Sequence, residues 1–228
     1  MKLLVIDTAT EACSVALQVD DVCISQFEIC PQQHSQRLLP MVAEVLQEAG
    51  LGIKQLDCLG FGRGPGSFTG VRIATGMIQG LALGAELPVV GVSTLAAMAQ
   101  QGIEQFHCEQ IVAAIDARMG EVYFAHYRNE AGIARLQGQE QVLPPAHAAK
   151  LISGIGSPYG VGSGWLAYPE LDPAKGVKVV AEILYPDARY MLALVKLAME
   201  QKQHMAVADI QPVYLRDTVT WQKLPGKG

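Results

Sequence analysis

Residues 60–85 read GFGRGPGSFTGVRIATGMIQGLALGA: an apolar strand, a glycine-proline turn and a long helix almost free of charge. The strand is expected over residues 56–61. Gly62, Gly64, Pro65 and Gly66 then make the turn. So many glycines call for left-handed backbone or a close backbone approach. Ser67 is a good N-cap. Behind it, the N–H groups of Phe68, Thr69 and Gly70 stand unpaired at a positive helix end, which suits an anion. Within the helix, Gly76, Gly80 and Gly84 recur every four residues. Each interior Gly costs about 1 kcal/mol relative to Ala, and close packing of another backbone along that face would offset it. Arg72 is the sole charge before Glu86. A helix this apolar is either buried in its own domain or covered by a partner.

Composition narrows the choice. With 228 residues, 50% hydrophobic and 17% charged, the chain can bury a sizeable core and has little polar surface to spare. The net charge of −5 and an aromatic content of 6% argue against nucleic-acid binding through a general basic field. Cys13, Cys23, Cys30, Cys58 and Cys108 form no CxxC and read as small core residues in a reducing compartment. The opening MKLLVIDTAT lacks a signal-peptide layout, and no apolar run is long enough to span a membrane. A cytoplasmic location is expected.

Strands are expected at residues 2–7, 13–19 and 22–29, as an antiparallel meander. A helix follows over 34–49, with Leu38, Met41, Val42, Val45 and Leu46 on one side and Pro40 starting or kinking it. After the glycine-rich unit come a strand at 88–92, a helix from Ser93 to about Gln101, and a polar connector over 102–109. The pattern then restarts. IVAAID at residues 111–116 echoes LLVID at 3–7, each ending in an acid, Asp7 or Asp116. Strands at 121–127 and within 133–143, a short helix at 146–152, strands at 159–161 and 177–180, and an amphipathic helix at 187–203 complete a thinner second copy. Residues 212–215 read as extended, and residues 218–228 as a basic tail.

Two βββαβα units, each with an Asp closing its first strand, resemble the actin, hexokinase and Hsp70 superfamily. The expected fold class is therefore α/β: a two-lobed, actin/Hsp70-like fold of duplicated ribonuclease-H-like lobes, the second reduced. Lobes at 1–103 and 104–215 and a tail at 216–228 are expected. In that superfamily the paired acids face a nucleotide, which marks Asp7, Thr8 and Asp116 as candidate nucleotide contacts. The loops that follow, Thr8-Ala9-Thr10 and Ala117-Arg118-Met119, are not glycine-rich. The alternative role for the two acids is to fix the strand-to-turn geometry.

IDTAT, GRGPGSFTGVR at 62–72, PVVGVST at 88–94, AIDARMGEVY at 114–123 and PVYLR at 212–216 together resemble the bacterial TsaB (YeaZ) family of threonylcarbamoyladenosine biosynthesis proteins, over nearly the whole chain. That resemblance implies a non-catalytic subunit that activates TsaD. TsaD transfers threonylcarbamoyl to the adenosine beside the anticodon of ANN-decoding tRNAs. The resemblance also implies TsaE as a further partner, a homodimer, tRNA contact only through the complex, and no membrane. It implies no cofactor required by this chain, with ATP or ADP at the joint interface as the candidate ligand. The interface it implies lies on the first two helices: His34, Arg37, Leu38, Met41 and Val45, with Phe68, Thr69, Arg72, Ile73, Gly76, Met77, Gly80 and Gly84. Where TsaD-like paralogues carry an HxxxH metal pair, Thr94 and Met98 stand here, and neither replaces an imidazole on a hard metal. The sequence thus implies no metal and no catalytic residue. His34, His107, His126, His147 and His204 read as surface or satisfied core residues. Ser14, Ser67, Ser93 and Ser163 sit in no GxSxG elbow, so the older protease-like description of the family has no support here. Two other readings remain open: a stand-alone ATP-binding enzyme of the sugar-kinase type, and a tRNA contact through Arg216, Lys223 and Lys227.

Overall fold

A computed structural model describes residues 1–216. The expected tail at 218–228, with Lys223 and Lys227, lies outside the described residues. The first sheet is built on Lys2–Asp7 (β1). Its other strands are Ala12–Val19 (β2), Val22–Ile29 (β3), Cys58–Gly64 (β4) and Val89–Ser93 (β5), in the order β3-β2-β1-β4-β5. The second sheet comprises Gln110–Asp116 (β6), Val122–Glu130 (β7), Ile133–Leu143 (β8), Tyr159–Val161 (β9) and Lys178–Val179 (β10). Its order is β8-β7-β6-β9-β10, the same 3-2-1-4-5 order. In both sheets the first three strands are antiparallel, and the fourth joins the first in parallel. The duplication is therefore one of topology, and the fold is the two-lobed α/β architecture of the actin and hexokinase class.

The central strands show why their sequences are continuously apolar. Leu4 and Ile6 of β1 enter one core, and Leu3 and Val5 enter another on the opposite face. In β6, Ile111, Ala113 and Ile115 face one way, and Val112 and Ala114 the other. A strand covered on both faces has no position for a polar residue.

Helices His34–Glu48 (α1) and Phe68–Ala85 (α2) cover the outer face of the first sheet. Pro145–Ile152 (α4) and Gly164–Ala167 (α5) cover the outer face of the second. Between the sheets lie Thr94–Phe106 (α3) and Leu192–Glu200 (α6), and they are exchanged. Leu95, Met98, Ala99 and Ile103 of α3 pack on the second sheet. Leu192 and Val195 of α6 pack on the first, against Leu3, Val5, Val90 and Val92. This corrects the expected domain boundaries. The break at 103/104 falls inside α3, and residues of the 104–215 segment return to complete the first lobe. Met205 bridges to Val89, and Ile210 joins the core beneath α1 and α2.

Other boundaries also differ. β4 runs on to Gly64, because its glycines leave room for close neighbours: a Cβ on Gly62 would lie 1.7 Å from Asp7 Oδ2, and one on Gly64 2.8 Å from Val213 O. α3 continues five residues beyond its expected end at Gln101, since His107, not a glycine, adopts the left-handed cap at φ 52°. The helix expected at 187–203 is a 3-10 turn, Ala188–Met191, followed by α6. Pro40 sits inside α1 on its exposed side without ending it. Cys13, Cys30, Cys58 and Cys108 are buried, but Cys23 is exposed on the edge strand. Burial pushes the Cys13 and Cys58 thiols up to about 12, which keeps them protonated. Among the described residues no helix is long and apolar enough to cross a membrane.

Candidate functional site

The N-terminus of α2 is fixed by the β1–β2 loop. Ser67 Oγ accepts from Gly70 N at 3.4 Å, and Ser67 N donates to Ala9 O at 2.7 Å. Thr8 Oγ1 donates to Gly70 O at 2.7 Å. The glycines here serve close approach: a Cβ on Gly70 would lie 2.0 Å from Thr8 O, and one on Gly66 2.3 Å from Ala9 O. The Gly70 amide, expected to stand free, is thus taken by the cap.

Both acids that close the first strands hold the turn that follows. Ala9 N donates to Asp7 Oδ1 at 3.1 Å, and Arg118 N donates to Asp116 Oδ1 at 2.8 Å. Their surroundings differ. Asp7 is fully buried against Gly62, and its Oδ2 has no hydrogen-bond partner among the described residues. Burial is the main cause that pushes its carboxyl up to about 7; the Ala9 amide opposes the shift and nearby Asp187 adds to it. Asp116 pairs with Arg118 at 3.0 Å, accepts from Tyr168 Oη at 2.9 Å, and lines an open cleft.

That cleft, of about 510 Å³, lies between the lobes. It is bounded by the β1–β2 loop, the starts of α1 and α2, the β6–β7 turn and residues 213–216. Asp7 and Thr8, expected as nucleotide contacts, do not line it; Asp116 does. A nucleotide triphosphate held at Asp7 and Thr8 does not fit, because the loop atoms that would receive it are sealed against α2. Arg216 is no part of a free tail. It donates to Ala117 O at 3.0 Å and pairs with Glu121. Val213 N donates to Arg63 O at 2.8 Å, so the segment straps the first lobe to the second.

The outer face of α2 is bare. Among the described residues, Gly76, Gly80 and Gly84 would find nothing within 4 Å of an added Cβ, so no described backbone packs on them. With Phe68 and Arg72 they form one row at four-residue spacing along the helix. Phe68 is 54% exposed and Leu83 is 71% exposed. The Arg72 guanidinium lies 3.8 Å from the Phe68 ring centroid, and its Nε donates to Tyr214 Oη at 3.0 Å. Thr69 is exposed, while Ile73 and Met77 are half-buried at the edge of the core.

The α1 residues expected at an interface need correction. Leu38, Met41 and Val45 are fully buried under α1, because its apolar stripe covers the chain's own sheet. Arg37 pairs with Glu28 across the edge of that sheet. The exposed side of α1 instead carries Leu39, Pro40 and Ala43. His34 is buried, and its Nε2 has no partner among the described residues, so it is not a satisfied core histidine. Thr94 Oγ1 donates to Pro65 O, and Met98 is buried in the core against the second sheet. Sequence reasoning missed Tyr214 and Tyr123, which flank the cleft from elements remote in the chain.

The family model for TsaD, tRNA N6-adenosine threonylcarbamoyltransferase, matches residues 20–163. The tRNA threonylcarbamoyladenosine biosynthesis protein TsaB of Escherichia coli is 47% identical over 230 residues, covering all of both chains. The chain belongs to the TsaB branch of that family. The TsaB protein of Haemophilus influenzae is 44% identical over 235 residues, all of this chain and 98% of its own. The solved structure of YeaZ from Pseudomonas aeruginosa superposes with a TM-score of 0.88 at 44% identity, over 94% of this chain and 99% of that one. The TsaB assignment extends over the exchanged α6 as well as the first lobe, since both relatives match the whole chain.

Proposed function

We propose that this chain is a non-catalytic subunit that docks on TsaD through α2 and activates threonylcarbamoyl transfer to the adenosine beside the anticodon of ANN-decoding tRNAs. The observation that carries the reading is the bare glycine row. Three interior glycines cost about 3 kcal/mol of helix propensity together, and nothing among the described residues recovers it at Gly76, Gly80 or Gly84. A row at four-residue spacing is the ridge by which two helices interlock, and missing side chains let the axes come close. The Phe68–Arg72–Tyr214 cluster at one end has the aromatic and arginine composition of an interface anchor. TsaE completes a ternary complex, tRNA is contacted only through the complex, and a homodimer uses the same face when TsaD is absent. The stand-alone ATP-binding enzyme is disfavoured by the sealed positions of Asp7 and Thr8.

Gly80→Leu tests the assignment. The variant is expected to fold as well as the parent and to lose heterodimer formation in calorimetric titration against TsaD from the same bacterium. Unchanged affinity would remove α2 from the interface.

A further inference from the structure

We propose that the interlobe cleft is a binding site for a small molecule carrying one oxyanion, a carboxylate or a phosphate monoester, on an aromatic or apolar body. Two helices begin at this cleft: α1, of 15 residues, and α2, of 18. Their positive ends converge on one space, and neither first turn contains an acid. α1 has no side-chain cap at all. The N–H groups of His34, Ser35, Phe68 and Thr69 have no acceptor among the described residues. A second, independent observation points the same way. His34 lines the cleft with only 7% exposure, and its Nε2 has no partner among the described residues. A buried ring nitrogen without a partner is costly, and an oxygen bound at the helix starts would supply one.

The charges of the cleft limit the size of the anion. Arg118 already pairs with Glu11 at 2.8 Å and with Asp116 at 3.0 Å. Arg216 already pairs with Glu121. Among the described residues no surplus of cations is left for a polyphosphate, whereas backbone amides and a histidine are sufficient for a single oxyanion. The remaining walls suit an apolar body: Phe68, Tyr123 and Tyr214, with Val213 and Ile115 between them. Phe68 and Tyr214 stack with centroids 5.3 Å apart, so the site abuts the outer face of α2.

The test uses the full-length chain alone, so its outcome is independent of whether TsaD docks on α2. The chain is titrated with benzoate, phenyl phosphate and phenol in the presence of a chelator, and separately with ATP and magnesium, following backbone amide shifts. Benzoate or phenyl phosphate should give saturable shifts at His34, Ser35, Phe68 and Thr69, and phenol should not. The tighter of the two anions names the ligand class. His34→Phe keeps a ring in the site and should weaken binding about tenfold, with His34→Gln recovering most of it. The proposal fails if neither anion shifts the two helix starts, if His34→Phe binds as well as the parent, or if ATP binds more tightly than both and only with magnesium.

Discussion

Gly62, Gly66 and Gly70 are hemmed in by the chain itself. An added Cβ would lie 1.7 Å from Asp7 Oδ2, 2.3 Å from Ala9 O and 2.0 Å from Thr8 O respectively. Gly76, Gly80 and Gly84, a few residues further along, meet nothing within 4 Å among the described residues. The first set lets the β1–β2 loop close on α2, and the fold requires it. The second set weakens α2 and contributes no contact among the described residues. The same residue type in one stretch thus serves folding at one end and an external surface at the other, and only the surroundings separate the two.

The contrast is most directly broken at Gly70. Gly70→Ala drives a methyl group into the Thr8 carbonyl and should lower stability by more than about 3 kcal/mol, read from urea unfolding. A cost below 1 kcal/mol would mean that the loop is not sealed as described. Asp7, closed in over Gly62, gives the next effect. It releases its proton near 3.8 when unfolded and only near 7 when folded. Between those values the folded state carries the extra proton, so stability falls as pH rises from about 4 to 7 and levels off above that. The loss is on the order of 4 kcal/mol. Asp7→Asn should flatten this slope; an unchanged pH profile would show that Asp7 does not titrate in that window. Arg216→Ala releases the strap that passes over Gly64 and should cost about 1–2 kcal/mol in thermal unfolding. Stability unchanged within error would leave the strap without a clamping role. Gly80→Ala gives the smallest effect and the opposite sign, a gain of about 1 kcal/mol, because the new methyl group enters open space in a helix interior. A loss there would place an unseen contact on the bare face.

Much of the architecture was legible in the chain. The strands ending at Asp7 and Asp116 stand where their apolar runs place them, and α2 begins directly after its Ser67 cap. Periodicity showed that Leu38, Met41 and Val45 share a face, but a stripe does not state what covers it, and here it is the chain's own sheet. The exchange of α3 and α6 was hidden for the same reason: each helix has an apolar side, and nothing local says which sheet receives it. Gly62 and Gly64 of β4 read as a turn because their cause, the approach of Asp7 and Val213, lies far away in sequence. The cleft was legible only in part, as an anion-suited start of α2. His34, Tyr123 and Tyr214 reach it from three other parts of the chain.

The exchange of α3 and α6 also bears on how the protein is made. When a ribosome has released the first sheet and α3, the inner face of β1 and β5 still lacks Leu192 and Val195. It stays open until α6 emerges, while α3 waits for the second sheet. Neither half can be finished as a nascent domain, so the first lobe is completed only after the second sheet has been made. During that interval the exposed apolar strand surface is what a chaperone would meet.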